Sequence, residues 1–372
     1  MGFFNWRDYM LKKYIDGLNP LYGDAMAKAQ TRLDGLVKPP GSLGELETIV
    51  ARLAGISGEV HYDTSKRCVI VMSSDNGVVC EGVSAAPQGV TYAQTINFTK
   101  GITGINALAK QFNTDLIVVD VGINGDIDHP QIINKKIRKG TSNIAKQPAM
   151  NLEEAEQAVI VGIEAAINVA NDGYKIIGVG EMGIGNTTTS AAVLCALAGI
   201  TPEQATGKGA GLSEEAYRRK IDVIQMALDF NKPNAADPLD VLAKVGGFDI
   251  AAMAGVFIGG AYMRVPVVID GFISVVAALV ASRFNPLAKE YMFASHSSFE
   301  QGYRYAAKTL GVSPYLNLNM RLGEGSGCPL MFAVMDGACA IMRDMSTFEQ
   351  GNIDEEYLEE MRDGADFHIR GM

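Results

Sequence analysis

The chain has 372 residues, with 32 Lys+Arg against 42 Asp+Glu for a formal net charge of −10, and is 48% apolar and 20% charged. This is ordinary globular composition, long enough for one large domain or two unequal ones around a sizeable core. Its longest basic cluster is Arg218-Arg219-Lys220, so it lacks the surface that neutralises a phosphate backbone, which argues against a nucleic-acid partner.

Taken in chain order, the first segment, MGFFNWRDYMLKKYIDG, interrupts its apolar residues with Arg7, Asp8, Lys12 and Lys13 and carries no signal-peptide apolar region. Residues 1–60 read as helices around one rigid loop, Lys38-Pro-Pro-Gly-Ser-Leu-Gly44. Four apolar runs that end in glycine or acid follow: Cys68–Met72, Leu116–Val121, Ile176-Ile177 and Val267–Asp270. Continuous β-branched runs of this kind suit strands buried on both faces of a parallel sheet. Between them, Asn151–Asn171 carries alanine and isoleucine at helical spacing and reads as a crossover helix. The most apolar stretch, Ala251–Ala281, is cut by Arg264, Pro266 and Asp270 into pieces shorter than the ~20 residues of a membrane span. The last 35 or so residues again read as helical, with residues 364–372 expected to fray.

The expected architecture is therefore α/β, a doubly wound, mainly parallel, Rossmann-like sheet over 61–334. A small helical domain is expected from both termini, 1–60 plus 335–372. In such a sheet, ligands lie beyond the carboxyl ends of the strands, where the Gly/Asp/Glu-rich turns fall. The five cysteines (Cys68, Cys80, Cys195, Cys328, Cys339) are odd in number and include no C-x-x-C pair, which suits a reducing, cytoplasmic setting better than a disulfide framework or zinc site. The four histidines show no metal-ligand spacing, so no dedicated metal site is expected; no cofactor is expected either.

Several turns carry possible chemistry. Gly178-Val-Gly-Glu-Met-Gly183 is a literal G-x-G-x-x-G between a strand and a helix opening at Asn186-Thr-Thr-Thr-Ser190. No acid ends a second strand about 20 residues on, and Glu181 would repel a pyrophosphate, so a monophosphate or small-ligand loop is favoured over dinucleotide binding, with a purely structural strand-to-helix turn capped by Ser/Thr as the other reading. In Arg321-Leu-Gly-Glu-Gly-Ser-Gly-Cys328 one carboxylate, Glu324, stands between glycines. It is either a solvated loop acid or a general base aimed into an apolar pocket. Asp75, in Ser74-Asp-Asn-Gly77, is either a turn-forming residue or a site residue. Ser295-His-Ser-Ser298 either offers hydroxyls to a phosphate or caps a helix starting near Phe299.

These segments, together with Asp34–Gly44, Gly82–Gln94, Lys244-Val-Gly-Gly-Phe-Asp249 and Asp270-Gly-Phe-Ile-Ser274, resemble the nicotinate-nucleotide:dimethylbenzimidazole phosphoribosyltransferase family nearly end to end. The resemblance implies a homodimer with the fold described above. It also implies transfer of ribose 5-phosphate from nicotinate mononucleotide to a benzimidazole nitrogen, giving α-ribazole 5′-phosphate and nicotinate. It assigns Glu324 as the catalytic base and Glu181 as a second acid that stabilises positive charge at the sugar. Gly183, Asn186, Lys220 and Ser298 fall around phosphate, ribose or nicotinate, and Ala86, Gln94, Met182 and Leu322 around the acceptor base. Asn76, Ala86 and Met182 depart from residues common in relatives, which leaves a phenolic or purine acceptor as alternatives. A non-catalytic nucleotide-binding homologue is a further alternative, although such a protein usually lacks the catalytic carboxylate.

Overall fold

The computed structural model describes residues 6–207 and 213–354; the expected fraying of residues 364–372 lies outside them. The described strands form a parallel sheet: β1 (Arg67–Ser74), β2 (Asp115–Gly122), β3 (Ile132–Asn134), β4 (Ile176–Met182), β5 (Val267–Ile269) and β6 (Met292–Ala294), in the order β3-β2-β1-β4-β5-β6. This is a doubly wound arrangement whose chain reverses direction across the sheet between β1 and β4. The four apolar runs read from the sequence are β1, β2, β4 and β5. β4 continues past Ile177 to Met182 and is buried along its whole length. The strands β3 and β6 have three residues each, too few for an apolar run to stand out.

Helices cover the sheet. Leu152–Asn171 is the expected crossover helix, opened by a reciprocal cap between Asn151 and Glu154. The apolar stretch 251–281 is two buried helices, Phe248–Tyr262 and Phe272–Phe284, separated by β5. Among the described residues no helix is long and apolar enough to cross a membrane.

The chain divides into two compact units, one running to Asn19 and resuming over Arg67–Met331, the other formed by Pro20–Lys66 and Phe332 onward. The first helix, Trp6–Asp16, differs from the expectation that placed residues 1–60 together, because it packs within the sheet-bearing unit. There Tyr14 meets Tyr262 edge-on at 5.2 Å between ring centroids, and Asn285 donates to the Ile15 carbonyl at 2.8 Å. The second unit contains helices Gly23–Asp34 and Glu45–Ser57, with an antiparallel bridge between Leu36 and Thr347. In it the Lys38-Pro-Pro-Gly loop is held by a buried Lys38–Glu47 ion pair at 2.9 Å.

Candidate active site

A cavity of about 400 Å³ lies among the segments that follow β1, β4, β5 and β6. It is lined by the ten residues to which the family resemblance assigns a place in the site: Ala86, Gln94, Glu181, Met182, Gly183, Asn186, Lys220, Ser298, Leu322 and Glu324. They come from segments separated by more than two hundred residues and meet because parallel strands deliver successive loops to one edge.

The glycine motif serves chain packing. Gly178 and Gly180 lie inside β4, and only Gly183 is in the turn. A Cβ on Gly180 would stand 2.5 Å from the Glu324 carbonyl oxygen, and one on Gly183 would stand 2.6 Å from a carboxylate oxygen of Asp249. The bare backbone of β4 thus lets the Glu324 loop settle directly on the strand, and lets Asp249 lie directly beneath the turn.

Glu324 is buried at φ +64°, flanked by Gly323 at +85° and Gly325 at +83°. A left-handed non-glycine residue costs about 1–3 kcal/mol and persists only where its surroundings fix it. Here both oxygens of Asp270 accept loop amides, from Gly327 at 2.6 Å and Gly325 at 3.0 Å. The Glu324 amide itself donates to Glu181 at 3.3 Å. The carboxylate accepts from the Gln94 amide at 2.6 Å and from the Ile105 backbone N–H, at the start of helix Gly104–Gln111, at 3.1 Å. Each oxygen keeps a further lone pair for a proton. Glu324 is thus a buried carboxylate held at both oxygens, not a solvated loop acid.

Behind it lies a group of buried acids. Burial pushes Glu181 up to about 8 and Asp270 up to about 7, with the loop amides opposing the shift at Asp270. Asp249 rises to about 6, again chiefly through burial. The neighbouring His296 is pushed down by burial to about 4 and stands as a neutral ring beside the Ser295 hydroxyl at 3.0 Å.

The sign of the resulting pH dependence follows from these shifts. Across pH 6.5 to 8, folded Asp270, titrating near 7, and Glu181, titrating near 8, give up protons that the unfolded chain, titrating near pH 4, has already released. Two groups oppose the trend at its edges: folded His296 is neutral while its unfolded form is still half protonated near pH 6.5, and Lys220, depressed to about 8, loses its proton toward pH 8 while the unfolded lysine keeps it. The ligand-free protein is therefore expected to lose stability as pH rises from 6.5 to 8, on the order of 1 kcal/mol per unit. Thermal melts across that range check this; a Tm that climbs with pH would contradict the burial of these acids.

The opposite end of the cavity is cationic. Lys220, on helix Glu214–Asn231, is buried and donates to the Thr187 hydroxyl at 2.8 Å. Burial depresses its pKa, and Glu300 across the cavity pulls the other way. Arg218 and Arg219 instead form exposed pairs with Glu214 and Glu215, so the basic triplet splits between surface and site. Helices Asn186–Ala198 and Phe272–Phe284 both present their first turns to the cavity, near Lys220 and Ser298. Backbone N–H groups at such ends suit a phosphate. Ser298 is a cavity residue and does not cap a helix at Phe299: that helix begins at Gln301 with Glu300 as its cap.

The end around Gln94 and Glu324 is apolar, walled by Val83, Ala85, Ala86, Val90, Met182 and the half-exposed Leu322. The Ser84 hydroxyl there is engaged with the Ala86 backbone. Two sequence candidates fall outside the cavity. Asp75 is buried and accepts from the Asn124 N–H at 2.7 Å, tying β1 to the loop after β2. Asn76 is fully buried and points at Asp249 at 3.4 Å, so its departure from relatives does not reshape the acceptor wall. Sequence reasoning gave no role to Asp270, Asp249, His296, Glu300 or Arg321. The acid ending the Val267–Asp270 run was a usable signal for Asp270, whereas nothing local marks Asp249. Among the described residues no group of three or more His, Cys, Asp or Glu is placed to hold a metal ion.

Comparison with known proteins gives one consistent result. A family model described as a phosphoribosyltransferase matches residues 18–353. The chain is 55% identical over 354 residues to the nicotinate-nucleotide–dimethylbenzimidazole phosphoribosyltransferase of Clostridium perfringens, covering 95% of this chain and 98% of that protein. It is 50% identical to the protein of the same name from Acetivibrio thermocellus, covering 93% of this chain and 99% of that one. The crystal structure of the similarly named enzyme from Thermus thermophilus superposes with a TM-score of 0.84 at 40% identity, over 89% of this chain and 99% of that one.

Proposed function

The chain belongs to the nicotinate-nucleotide:dimethylbenzimidazole phosphoribosyltransferase family, and from that premise we propose how its cavity carries out phosphoribosyl transfer in cobamide assembly. The donor is nicotinate mononucleotide, with its phosphate at Lys220, Ser298 and the two helix ends. Its anomeric carbon lies between Glu181 and the apolar end. The acceptor benzimidazole occupies that end, with one ring N–H on Glu324.

The acceptor nitrogen attacks the anomeric carbon on the face opposite nicotinate. The carbon–pyridinium bond breaks, and its electron pair goes to the nicotinate ring. That ring leaves neutral, so no general acid is needed. The anomeric carbon inverts, giving α-ribazole 5′-phosphate. As the attacking ring becomes cationic, its other N–H loses its proton to Glu324. Holding both partners in line supplies most of the acceleration. Glu181, ionised beside the donor's positive ring, stabilises charge at the sugar.

The observation that carries this reading is the Glu324 carboxylate, fixed at both oxygens and set against an otherwise apolar wall. The same wall argues for an acceptor with few polar edges. A purine would bury ring nitrogens or an amino group without partners, at about 1–3 kcal/mol each. Incubating the protein with nicotinate mononucleotide and an acceptor panel, and following nicotinate and the riboside phosphates by chromatography, tests this. The expected outcome is turnover of 5,6-dimethylbenzimidazole at least about tenfold more efficient than of adenine or a phenol. Preferred turnover of adenine or a phenol would move the acceptor assignment. Absence of nicotinate release with every acceptor would favour a non-catalytic nucleotide-binding homologue.

We also propose a cytoplasmic homodimer. The five widely spaced cysteines, odd in number and with no C-x-x-C pair, support the compartment, and exposed Phe299 and Leu322 beside the cavity offer apolar surface to a second copy.

A further inference from the structure

One fully buried carboxylate in the sheet unit has no place in the mechanism above. Asp249, in the first turn of helix Phe248–Tyr262, does not line the cavity and forms no ion pair among the described residues. Its donors are all amides: Asn186 at 3.1 Å, Asn76 at 3.4 Å and the Ile250 N–H at 3.0 Å. The same Asn186 side-chain nitrogen donates to Glu181. With an acceptor on either side, its two hydrogens are both committed, which fixes which end of the Asn186 amide faces the acids. The Thr189 hydroxyl holds Asn76 at 3.3 Å, so the support continues one residue further back.

A buried charge with no cation is costly, and replacing it by a neutral group is often neutral or stabilising. Its presence therefore calls for a reason other than stability. We propose that Asp249 is a positioning residue for the transfer reaction: from behind the cavity it locks Asn186, and Asn186 in turn holds Glu181 against the donor sugar. This rests on the ribosyl-transfer reading above. Asp249 touches no substrate. Without it, the Asn186 amide is free to turn and Glu181 loses its fixed donor.

The test is steady-state kinetics of wild type, Glu181→Gln, Asp249→Asn and the double variant, with thermal melts and donor binding by calorimetry. Asp249→Asn is expected to melt at or above the wild-type temperature and to bind nicotinate mononucleotide within about threefold. Its kcat is expected to fall roughly 10–100-fold, a split between kcat and KM that a merely structural role would not produce. In the double variant kcat should be no more than about twofold below that of Glu181→Gln, because both changes remove the same function.

A folded Asp249→Asn with wild-type kcat overturns the proposal, as do losses that multiply in the double variant. Should Asp249→Asn not fold, Asn186→Ser breaks the link with Asp249 in place; a wild-type kcat there also overturns the proposal. A wild type that releases no nicotinate, or a Glu181→Gln variant of undiminished kcat, overturns the underlying reading instead. Those results are distinct from an active wild type and an impaired Glu181→Gln beside an unaffected Asp249→Asn.

Discussion

Glu324→Gln is expected to lower kcat by about 10²–10⁴-fold, the usual contribution of a positioned general base, while leaving nicotinate mononucleotide binding within about threefold. Glutamine keeps the length and nearly the shape of the side chain. It can still accept from the Ile105 N–H or the Gln94 amide, so the loop stays folded in its left-handed conformation. What it cannot do is accept the acceptor's ring proton. Single-turnover kinetics with calorimetric donor binding separates the two effects. Undiminished turnover would exclude Glu324 as the base, whereas lost donor binding would place it at the sugar. Residual activity should rise with acceptors whose N–H is already acidic, since these depend less on a base.

Lys220→Met should instead raise KM for the donor about 10–100-fold, with kcat and acceptor KM within about threefold. A hydrogen bond to a charged group contributes about 1.5–3 kcal/mol, and methionine fills the same buried channel without the charge. Lys220 is buried beside Thr187 with no carboxylate within ion-pair distance among the described residues, and its pKa is depressed to about 8. A dianionic phosphate would supply the missing counter-charge. The free variant should then be at least as stable as wild type, having shed a desolvated ammonium, yet gain less Tm from nicotinate mononucleotide. Nicotinate riboside, which lacks the phosphate, should be handled about equally by both proteins. A kcat loss at unchanged donor KM would move Lys220 from the phosphate to the reacting centre.

Much of the fold is legible along the chain because parallel strands buried on both faces leave continuous apolar runs. β1, β2, β4 and β5 could be read that way, and so could the Leu152–Asn171 crossover. β3 and β6 could not, since a three-residue strand carries no period. The first helix falls outside the expected grouping because local sequence states that a segment is helical, not what it packs against; Tyr262 and Asn285 supply that answer from far down the chain. The site shows the same division. Glycine-flanked Glu324 and the residues of the β4 turn were visible as isolated features, and the resemblance to a family supplied roles for them.

The sequence by itself determined the fold class, the family and which residues could do acid–base and anion chemistry, because those depend on residue type and local spacing. Tertiary structure alone decided how they cooperate. It turned the glycines of β4 from a phosphate-loop pattern into contact surface for the Glu324 loop, and turned Lys220 inward while leaving Arg218 and Arg219 in solvent. It also set Asp270 and Asp249 behind Glu324 and Glu181. The physical reason is that burial, desolvation and hydrogen bonds between loops act over a few ångströms in space, whereas Gln94 and Glu324, which meet here, are separated by 230 residues of chain.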